Sequence, residues 1–256
     1  MGKKWFAILF ACLLSLVFAG CGREQMKAAP KARNRLIVAT CPTFKPFEFK
    51  NDHGGYEGYE IDLVRAIAGE LGMAVEFKDM PFYQALDYVK EGKADIAAAS
   101  IIVTEERAKK VNFTIPYNVT DMVIIVKEGS SYRAEDMQGS PAAVEKGSVY
   151  EEYAVKHGIP HVAYSLNTEV LDALRDGRQK AAVMDRPVAE DFMNEKEGQD
   201  FRIHTLPGTP VQSFALAVNK DETELLKNMN KAIESLRKKG KLEIFRRKWI
   251  PDKPGV

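Results

Sequence analysis

The sequence predicts an α/β protein of two lobes that are joined by two extended segments, with a ligand cleft between the lobes. Apolar strands alternate with amphipathic helices in two separate stretches of the chain, which is the pattern of sheets with helices on their faces. Two long extended runs, residues 121–127 and 213–218, bracket the second stretch. A chain that leaves one lobe, builds another and returns crosses twice between them, and the cleft at such a hinge is the default ligand site.

The first 21 of the 256 residues predict an export signal. Lys3 and Lys4 form a basic start, and residues 5–19 are an apolar run too short for a comfortable membrane span. The run ends in Ala19-Gly20-Cys21, which resembles the lipobox of bacterial lipoproteins, although Phe18 stands where Leu, Val or Ile is usual. In that interpretation Cys21 is lipidated and becomes the mature N-terminus. Cleavage by the ordinary signal peptidase, with Cys21 incidental, is the alternative, and both predict an exported protein.

Composition restricts the function classes open to the mature chain. Residues 22–35 are rich in Lys, Arg, Ala and Gln and predict a flexible tether. Cys12 lies in the signal and Cys21 at its end, so Cys41 is alone in the mature domain and no internal disulfide is expected. The formal net charge of +1 argues against a nucleic-acid partner. The four histidines have no metal-ligand spacing and no cofactor motif is present, so neither a metal nor a cofactor is expected.

The first α/β stretch follows the tether. Strands are predicted at residues 36–40, 74–77 and 94–100, and helices after Asp62 and at residues 82–90, which glycines 72 and 92 close. A loop with two prolines, residues 41–49, follows the first strand. Loops at strand ends are where sites are built.

The junction at residues 98–107 is the most informative part of this stretch. An apolar strand runs into a helix for which Thr104 is the predicted N-cap, and Arg107 stands in the first helical turn. A cation there faces the positive end of the helix dipole, so a negative group should compensate it. That group is either Glu105 or Glu106 on the same helix, or an anionic ligand at the end of the strand.

The second stretch predicts another set of strands and helices. Strands are expected at residues 142–144, 162–164 and 181–184, and helices from Val149, at 168–176 and at 187–194. Two more amphipathic helices, residues 223–239 and 242–249, close the chain. Residues 36–119 with 212–256 are therefore predicted to form lobe 1, and residues 120–211 lobe 2.

Several motifs in this order resemble the polar amino-acid solute-binding proteins that serve ABC importers, and the resemblance covers residues 35–250. The motifs are Pro46-Phe47-Glu48-Phe49, Gly58 to Leu71, Ala94-Asp95-Ile96, Thr104 to Arg107, Asn112-Phe113-Thr114 with Pro116-Tyr117, Gly147-Ser148, and Gly240-Lys241-Leu242 with Lys248-Trp249. The resemblance implies a type II periplasmic-binding-protein fold that closes on one amino acid and presents it to a membrane permease. It also implies a monomer that faces the periplasm or the cell exterior and performs no catalysis.

The glutamine- and histidine-binding proteins are the nearest comparison and imply site residues. Arg107 would clamp the ligand α-carboxylate in a bidentate pair, and Asp185 would pair with its ammonium. Asp185 has an alternative role as N-cap of the helix at Pro187.

Other ligand contacts are implied from both predicted lobes. Phe44 and Phe82 would sandwich the ligand side chain, although by composition alone either aromatic is more often part of the core. Across the cleft, the free N–H groups of Ser148 and Val149 would meet the carboxylate. Ser148 has capping-box spacing with Glu151 and could equally be a structural N-cap.

Three positions depart from the family pattern. Cys41 stands where an acidic residue is common, and Glu145 where glutamine binders have a basic one. Ile102 replaces a Ser or Thr whose hydroxyl helps to hold the ammonium. The backbone N–H of Ile102 can still serve the carboxylate, but one ammonium contact is absent. Ammonium recognition would then depend on Asp185 and the carbonyl of Ser100, and the amino acid stays unnamed.

Two other functions fit the same fold. Cyclohexadienyl dehydratases resemble these binders, and such an enzyme would need a general acid, for which Glu48 or Glu145 could serve. A binding protein whose partner is a sensor or chemoreceptor instead of a permease has the same sequence features.

Overall fold

The computed structural model describes residues 34–129, 141–206 and 208–250. The predicted signal with Cys21 and nearly all of the predicted tether lie outside these residues. Among the described residues, no helix is both long enough and apolar enough to cross a membrane.

Eight helices are present in the described part of the chain, and their bounds follow the sequence pattern closely. They are α1 (Tyr59–Glu70), α2 (Phe82–Lys90), α3 (Glu105–Lys110), α4 (Val149–Lys156), α5 (Asn167–Arg175), α6 (Arg186–Asn194), α7 (Thr223–Lys238) and α8 (Lys241–Trp249). The prediction for α2 is confirmed at both ends. α1 begins earlier than predicted, directly after Gly58, which has φ +126°. A Cβ at Gly58 would lie 2.1 Å from the Phe47 carbonyl oxygen, so the sequence needs glycine there.

Within the described ranges, fifteen strands form two large sheets and two small ones. They are β1 (Arg35–Thr40), β2 (Thr43–Phe44), β3 (Glu48–Lys50), β4 (Tyr56–Glu57), β5 (Ala74–Asp79), β6 (Ile96–Ala97), β7 (Asn112–Phe113), β8 (Asn118–Thr120), β9 (Met122–Lys127), β10 (Ala142–Glu145), β11 (His161–Tyr164), β12 (Ala181–Asp185), β13 (Phe201–Thr205), β14 (Gln212–Phe214) and β15 (Ala217–Val218).

The two large sheets share one plan. Their strand orders are β5-β1-β6-β15-β7 and β11-β10-β12-β9-β13. In each, the first three strands are parallel and the fourth runs antiparallel to both its neighbours. The sheets are therefore mixed and not wholly parallel, because the strand that enters each sheet directly after the extended crossing is the reversed one.

The two extended segments pair with each other. β8 and β14 form an antiparallel two-stranded ribbon, with Asn118 opposite Phe214 and Thr120 opposite Gln212. β9 and β15 follow these strands into different large sheets. The lobe boundaries at residues 120 and 212 stay predictions, and both fall within this ribbon.

Buried aromatic rings connect the ribbon with α1. The Phe47 ring lies 5.2 Å from that of Phe214 and 6.1 Å from that of Tyr59, and the Tyr59 and Tyr117 rings are 5.9 Å apart. All four side chains are buried in the larger apolar core cluster. They fix the loop after β1 against the end of β14.

One predicted strand is shorter in the structure, and one five-residue strand was not predicted. Of residues 94–100, only Ile96–Ala97 is strand, because Ser100 has φ +46° and its N–H donates to Glu60 instead of a neighbouring strand. β13 was not predicted at all. Its sequence alternates an apolar residue with Arg and His, and only Phe201 is buried, which is typical of an edge strand.

Candidate functional site

A narrow pocket, lined by residues that follow strands of both large sheets, lies between them. Its lining includes residues that directly follow β1 and β6, the last residue of β10 and the start of α4, as expected for a site at the carboxyl ends of parallel strands. The lining residues are Cys41, Phe44, Glu48, Phe82, Ala99, Ser100, Ile102, Arg107, Glu145, Ser148, Val149 and Tyr150.

Arg107 is buried in this lining without an acidic partner. Only 6% of the residue is exposed. Its guanidinium donates to the carbonyl of Ile102 at 2.9 Å and to that of Gly147 at 3.1 Å, and lies 5.3 Å from the centre of the Phe82 ring. Burial lowers the pKa of Arg107, with Glu152 the largest opposing influence. In the described part of the chain, no carboxylate forms an ion pair with this guanidinium.

Glu105 and Glu106, the two acidic residues on the same helix, are therefore not the partners of the Arg107 guanidinium. Thr104 is the N-cap as predicted, since its hydroxyl accepts from the Arg107 N–H at 3.2 Å. Glu106 pairs with Lys109, and neither Glu105 nor Glu106 bonds to the Arg107 side chain. The side chain turns away from its own helix and toward the pocket.

Of the two N–H groups that were expected to be free at the start of α4, those of Ser148 and Val149, one is free. The Ser148 N–H is not free, because it donates to the Glu145 carbonyl at 3.2 Å. The Ser148 hydroxyl donates to the same carbonyl at 2.6 Å and caps the helix by accepting from the Glu151 N–H. The Glu151 side chain accepts from Gly147, one residue before the capping-box position. The Val149 N–H has no hydrogen-bond partner among the described residues, and Val149 lines the pocket.

Asp185 is fully buried at the end of β12. It occupies the N-cap position of α6, as the structural alternative predicts, but its side chain makes no capping hydrogen bond. One carboxylate oxygen accepts from the Tyr150 hydroxyl, and the other has no partner of ordinary hydrogen-bond geometry among the described groups. The Thr120 hydroxyl is still near enough to lower the pKa of Asp185. Asp185 is not part of the pocket lining, but Tyr150, its hydrogen-bond partner, is. Burial raises the pKa of Asp185 to about 7.

The remaining predicted residues lie in the lining. Phe44 is buried and packs 6.1 Å from the Phe47 ring, so it belongs to both the pocket and the core. Phe82 opens α2 and faces Arg107. The Ile102 N–H donates to no described group, which leaves it free as expected. The structure therefore brings together seven of the eight predicted residues, with Asp185 one side chain away.

A network of buried carboxylates fixes Ser100. The Ser100 N–H donates to Glu60 and its hydroxyl to Glu48, both at 2.8 Å, and Tyr117 donates to the other Glu60 oxygen. Burial and the adjacent Glu60 raise the pKa of Glu48 well above its usual value. Glu48 is consequently a neutral acid when Glu60 is charged, and one of its oxygens has no partner among the described residues.

Glu145 and Cys41 meet at another part of the lining. The Cys41 sulfur lies 4.0 Å from a Glu145 carboxylate oxygen and 3.4 Å from the Thr43 hydroxyl. Burial, then the charge of Asp185, raises the pKa of Glu145 to about 8. Burial raises the pKa of the Cys41 thiol to about 12, so the thiol stays protonated and unreactive.

Sequence reasoning missed part of this site. Tyr150 was not predicted, and no local signal marks it, because its role depends on the approach of α4 to β12. Glu48 and Glu145 were nominated only as the general acid of an alternative enzyme, and Glu145 also as a departure from the family pattern; neither was predicted to line the ligand pocket. A buried Glu at a strand end could have drawn attention to both.

Comparisons with known proteins agree with this architecture. The profile of the bacterial extracellular solute-binding proteins, family 3, matches residues 36–252. The arginine-binding extracellular protein ArtP of Bacillus subtilis (strain 168) is 26% identical over 255 residues, which cover 97% of this chain and 98% of that protein. The structure of an ancestral arginine-binding protein bound to glutamine is similar with a TM-score of 0.81 and 34% identity, over 87% of this chain and 100% of that one.

A second similar structure is that of a binding protein described as the precursor of an enzyme. It is the ancestral amino acid-binding protein AncCDT-1, a precursor of cyclohexadienyl dehydratase, with a TM-score of 0.78 and 29% identity over 84% of this chain and 95% of that one. All three proteins are named for binding amino acids. The type II fold predicted from the sequence is confirmed by these neighbours. With its profile match over most of its length, this chain belongs to the bacterial extracellular solute-binding proteins, family 3.

Proposed function

We propose that the protein is an exported, lipid-anchored receptor that captures a polar amino acid and delivers it to an ABC permease without catalysis. Lobe 1, residues 36–119 and 212–256, and lobe 2, residues 120–211, close on the ligand. Family membership and the amino-acid-binding names of the relatives support the ligand class.

One observation carries the proposal: the buried Arg107 guanidinium has no anion among the described residues. Its present acceptors are two neutral carbonyls, of Ile102 and Gly147. Burying an isolated charge is unfavourable, so the site is incomplete without a negative group. An α-carboxylate supplies that group in a bidentate, charge-assisted pair, and the free Val149 N–H approaches it from the other sheet.

The ammonium of the ligand pairs with Asp185 in this proposal. Asp185 has an unpartnered carboxylate oxygen in a fully buried position, and Tyr150 orients the other oxygen. An opposite charge within hydrogen-bond distance favours the ionised carboxylate, so the ligand would lower the pKa of Asp185 from about 7. Phe44 and Phe82 pack on the ligand side chain.

Polar contacts between the two predicted lobes support a closing motion. Besides the bond from Arg107 to Gly147, Asn167 donates to the Thr43 carbonyl at 3.4 Å, and Lys45 lies 3.4 Å from Asp191. Such polar contacts are typical of interfaces that open and close.

A ligand panel tests the function. A chain lacking residues 1–21 is heated with each of the twenty amino acids, and one that binds at a hundredfold excess over Kd should stabilise the domain by about 2.7 kcal/mol. For a domain of this size that is roughly 5–10 °C in Tm. Arg107→Lys should lose most of this shift while keeping the ligand-free Tm, and Arg178→Lys, a solvent-exposed arginine, serves as the control. A shift with a non-amino carboxylate alone would contradict the ammonium half of the site.

Lipid attachment is tested separately, because Cys21 lies outside the described residues. The full chain expressed in a bacterium should partition into the detergent phase of a Triton X-114 extraction, and Cys21→Ser should move it to the aqueous phase. Aqueous partition of the unmodified chain would remove the anchor and leave the binding function intact.

A dehydratase-like enzyme is the second candidate, favoured by one observation. Glu145 has a pKa of about 8 in a closed pocket, so it holds a proton near neutral pH as a general acid must. Incubation of the purified domain with prephenate tests this candidate. Formation of phenylpyruvate that Glu145→Gln abolishes would replace the receptor proposal with an enzyme.

A further inference from the structure

We propose that Glu145 selects a ligand with a cationic side chain, so that the pocket takes a basic amino acid in preference to a neutral one. The inference rests on the proposed function, since it concerns the same pocket. The similar structures leave the ligand open, because a protein named for arginine binding is seen with glutamine bound.

The pocket holds more acidic side chains than a ligand with a neutral side chain can pair. Arg107, Glu48 and Glu145 line it, and Asp185 lies directly behind Tyr150. A zwitterion supplies one anion for Arg107 and one cation for Asp185. Glu48 and Glu145 are then left without a cation.

Glu48 does not need a cation. It is hydrogen-bonded by Ser100 and lies beside Glu60, which keeps it in its neutral form. A protonated carboxyl can be buried without a charge partner. Glu145 is the other acid of the lining, and unlike Glu48 it accepts no side-chain hydrogen bond of ordinary length from the described residues.

Glu145 itself has weak partners. Only 4% of the residue is exposed, and it forms no ion pair in the part of the chain that the structure describes. Its contact with the Cys41 thiol is long, at 4.0 Å, and a backbone N–H of Asn167 gives it one hydrogen bond. The ionisable groups around it are Cys41, Asp185, Arg107 and Tyr150, of which only Arg107 is a cation. Arg107 is already assigned to the ligand carboxylate.

A cationic side chain resolves this arrangement. An ammonium or guanidinium at Glu145 would form a desolvated, charge-assisted pair. A neutral ligand would leave Glu145 protonated, since its pKa is about 8. The two ligand classes therefore differ in the protons they displace, because only the cation drives Glu145 to ionise.

Calorimetry measures that difference directly. The domain lacking residues 1–21, stripped of ligand, is titrated at about pH 6.5 with arginine, lysine and glutamine in two buffers of different ionisation enthalpy. Arginine or lysine should release about one proton more per ligand than glutamine. The preferred cation should also bind at least about 30-fold more tightly than glutamine, the lower limit for a buried charge pair.

Glu145→Gln should lower the ratio of arginine to glutamine affinity by about 30-fold or more and abolish the extra proton. Glu234→Gln, the same change on the exposed face of α7, should alter neither. If the variant does not fold, the proton count of the unmutated domain decides.

Two failures are distinguishable. Glutamine binding as tightly as arginine and lysine, with the same proton release, would overturn the role of Glu145 while the receptor function stands. If none of the twenty amino acids binds, the proposed function fails and this inference fails with it.

Discussion

Raising the pH should destabilise the ligand-free domain, because buried acids, Glu145 and Asp185 among them, must ionise. The pKa of Glu145 is raised from 4.5 to about 8, and that of Asp185 from 3.8 to about 7, mainly by burial. Unfolding returns both to water and to their ordinary pKa values. From about pH 4 to 8 the folded state therefore binds more protons than the unfolded state, so stability falls as pH rises through this window.

The structure sets the size of the effect. Because a tenfold change in an equilibrium constant is worth about 1.4 kcal/mol, the change at Glu145 from 4.5 to about 8 has an upper bound near 5 kcal/mol. Water entry and relaxation reduce such values, so we expect Glu145 to contribute about 2–3 kcal/mol between pH 5 and 8.5. That is a large part of the 5–15 kcal/mol typical of a whole domain.

Urea unfolding at a series of pH values from about 5 to 8.5 gives the free energy of unfolding directly. Glu60, with a pKa of about 7, acts in the same direction, so the profile of the wild type alone does not isolate Glu145. Glu145→Gln removes the titrating group, and its profile should be flatter than the wild-type profile by at least about 2 kcal/mol over this range. Parallel profiles for the two proteins would refute the reasoning.

Three further perturbations test other parts of the site. Gly147→Ala should weaken ligand binding severalfold in a titration, because the new Cβ would lie 2.7 Å from the Cβ of Tyr83 in α2, across the cleft. Gly177→Ala is the control: Gly177 has a similar φ of +70° and nothing within 4 Å, so its substitution should strain the backbone equally but leave the affinity unchanged. Tyr150→Phe should shift the acid limb of the pH profile of ligand binding to higher pH, because it removes a hydrogen bond that lowers the pKa of Asp185. An unchanged pH profile would show that Tyr150 does not control the ionisation of Asp185. Phe214→Ala should reduce the free energy of unfolding by about 3–5 kcal/mol in urea, because its ring is fully buried; a loss below about 1 kcal/mol would contradict the packing described.

Local sequence predicted most of the fold because caps and apolar periodicity act over a few residues. Thr104 and Ser148 were identified as N-caps, and both hydroxyls accept the expected backbone N–H. The predicted strand through Ser100 was wrong for a non-local reason. Glu48 and Glu60, far away in sequence, take its hydroxyl and its N–H and turn the backbone.

The candidate site divides in the same way. Arg107 was identifiable from its unfavourable position in a helix turn, which is a local feature. The pairing of Tyr150 with Asp185 spans 35 residues and depends on how α4 and β12 pack, so no spacing could predict it. The hydrogen bond from the Ser148 N–H to the Glu145 carbonyl depends on the tight turn before α4.

The anchoring of Ser100 bears on how this pocket can change its ligand during evolution. A residue at φ +46° normally depends on its local turn, but here two carboxylates from other elements hold it. The backbone that carries Ile102 is thus fixed independently of the side chains facing the ligand. Substitutions at Cys41, Ile102 and Glu145 can accumulate on a constant frame, so new specificities are reachable by single steps that each preserve folding.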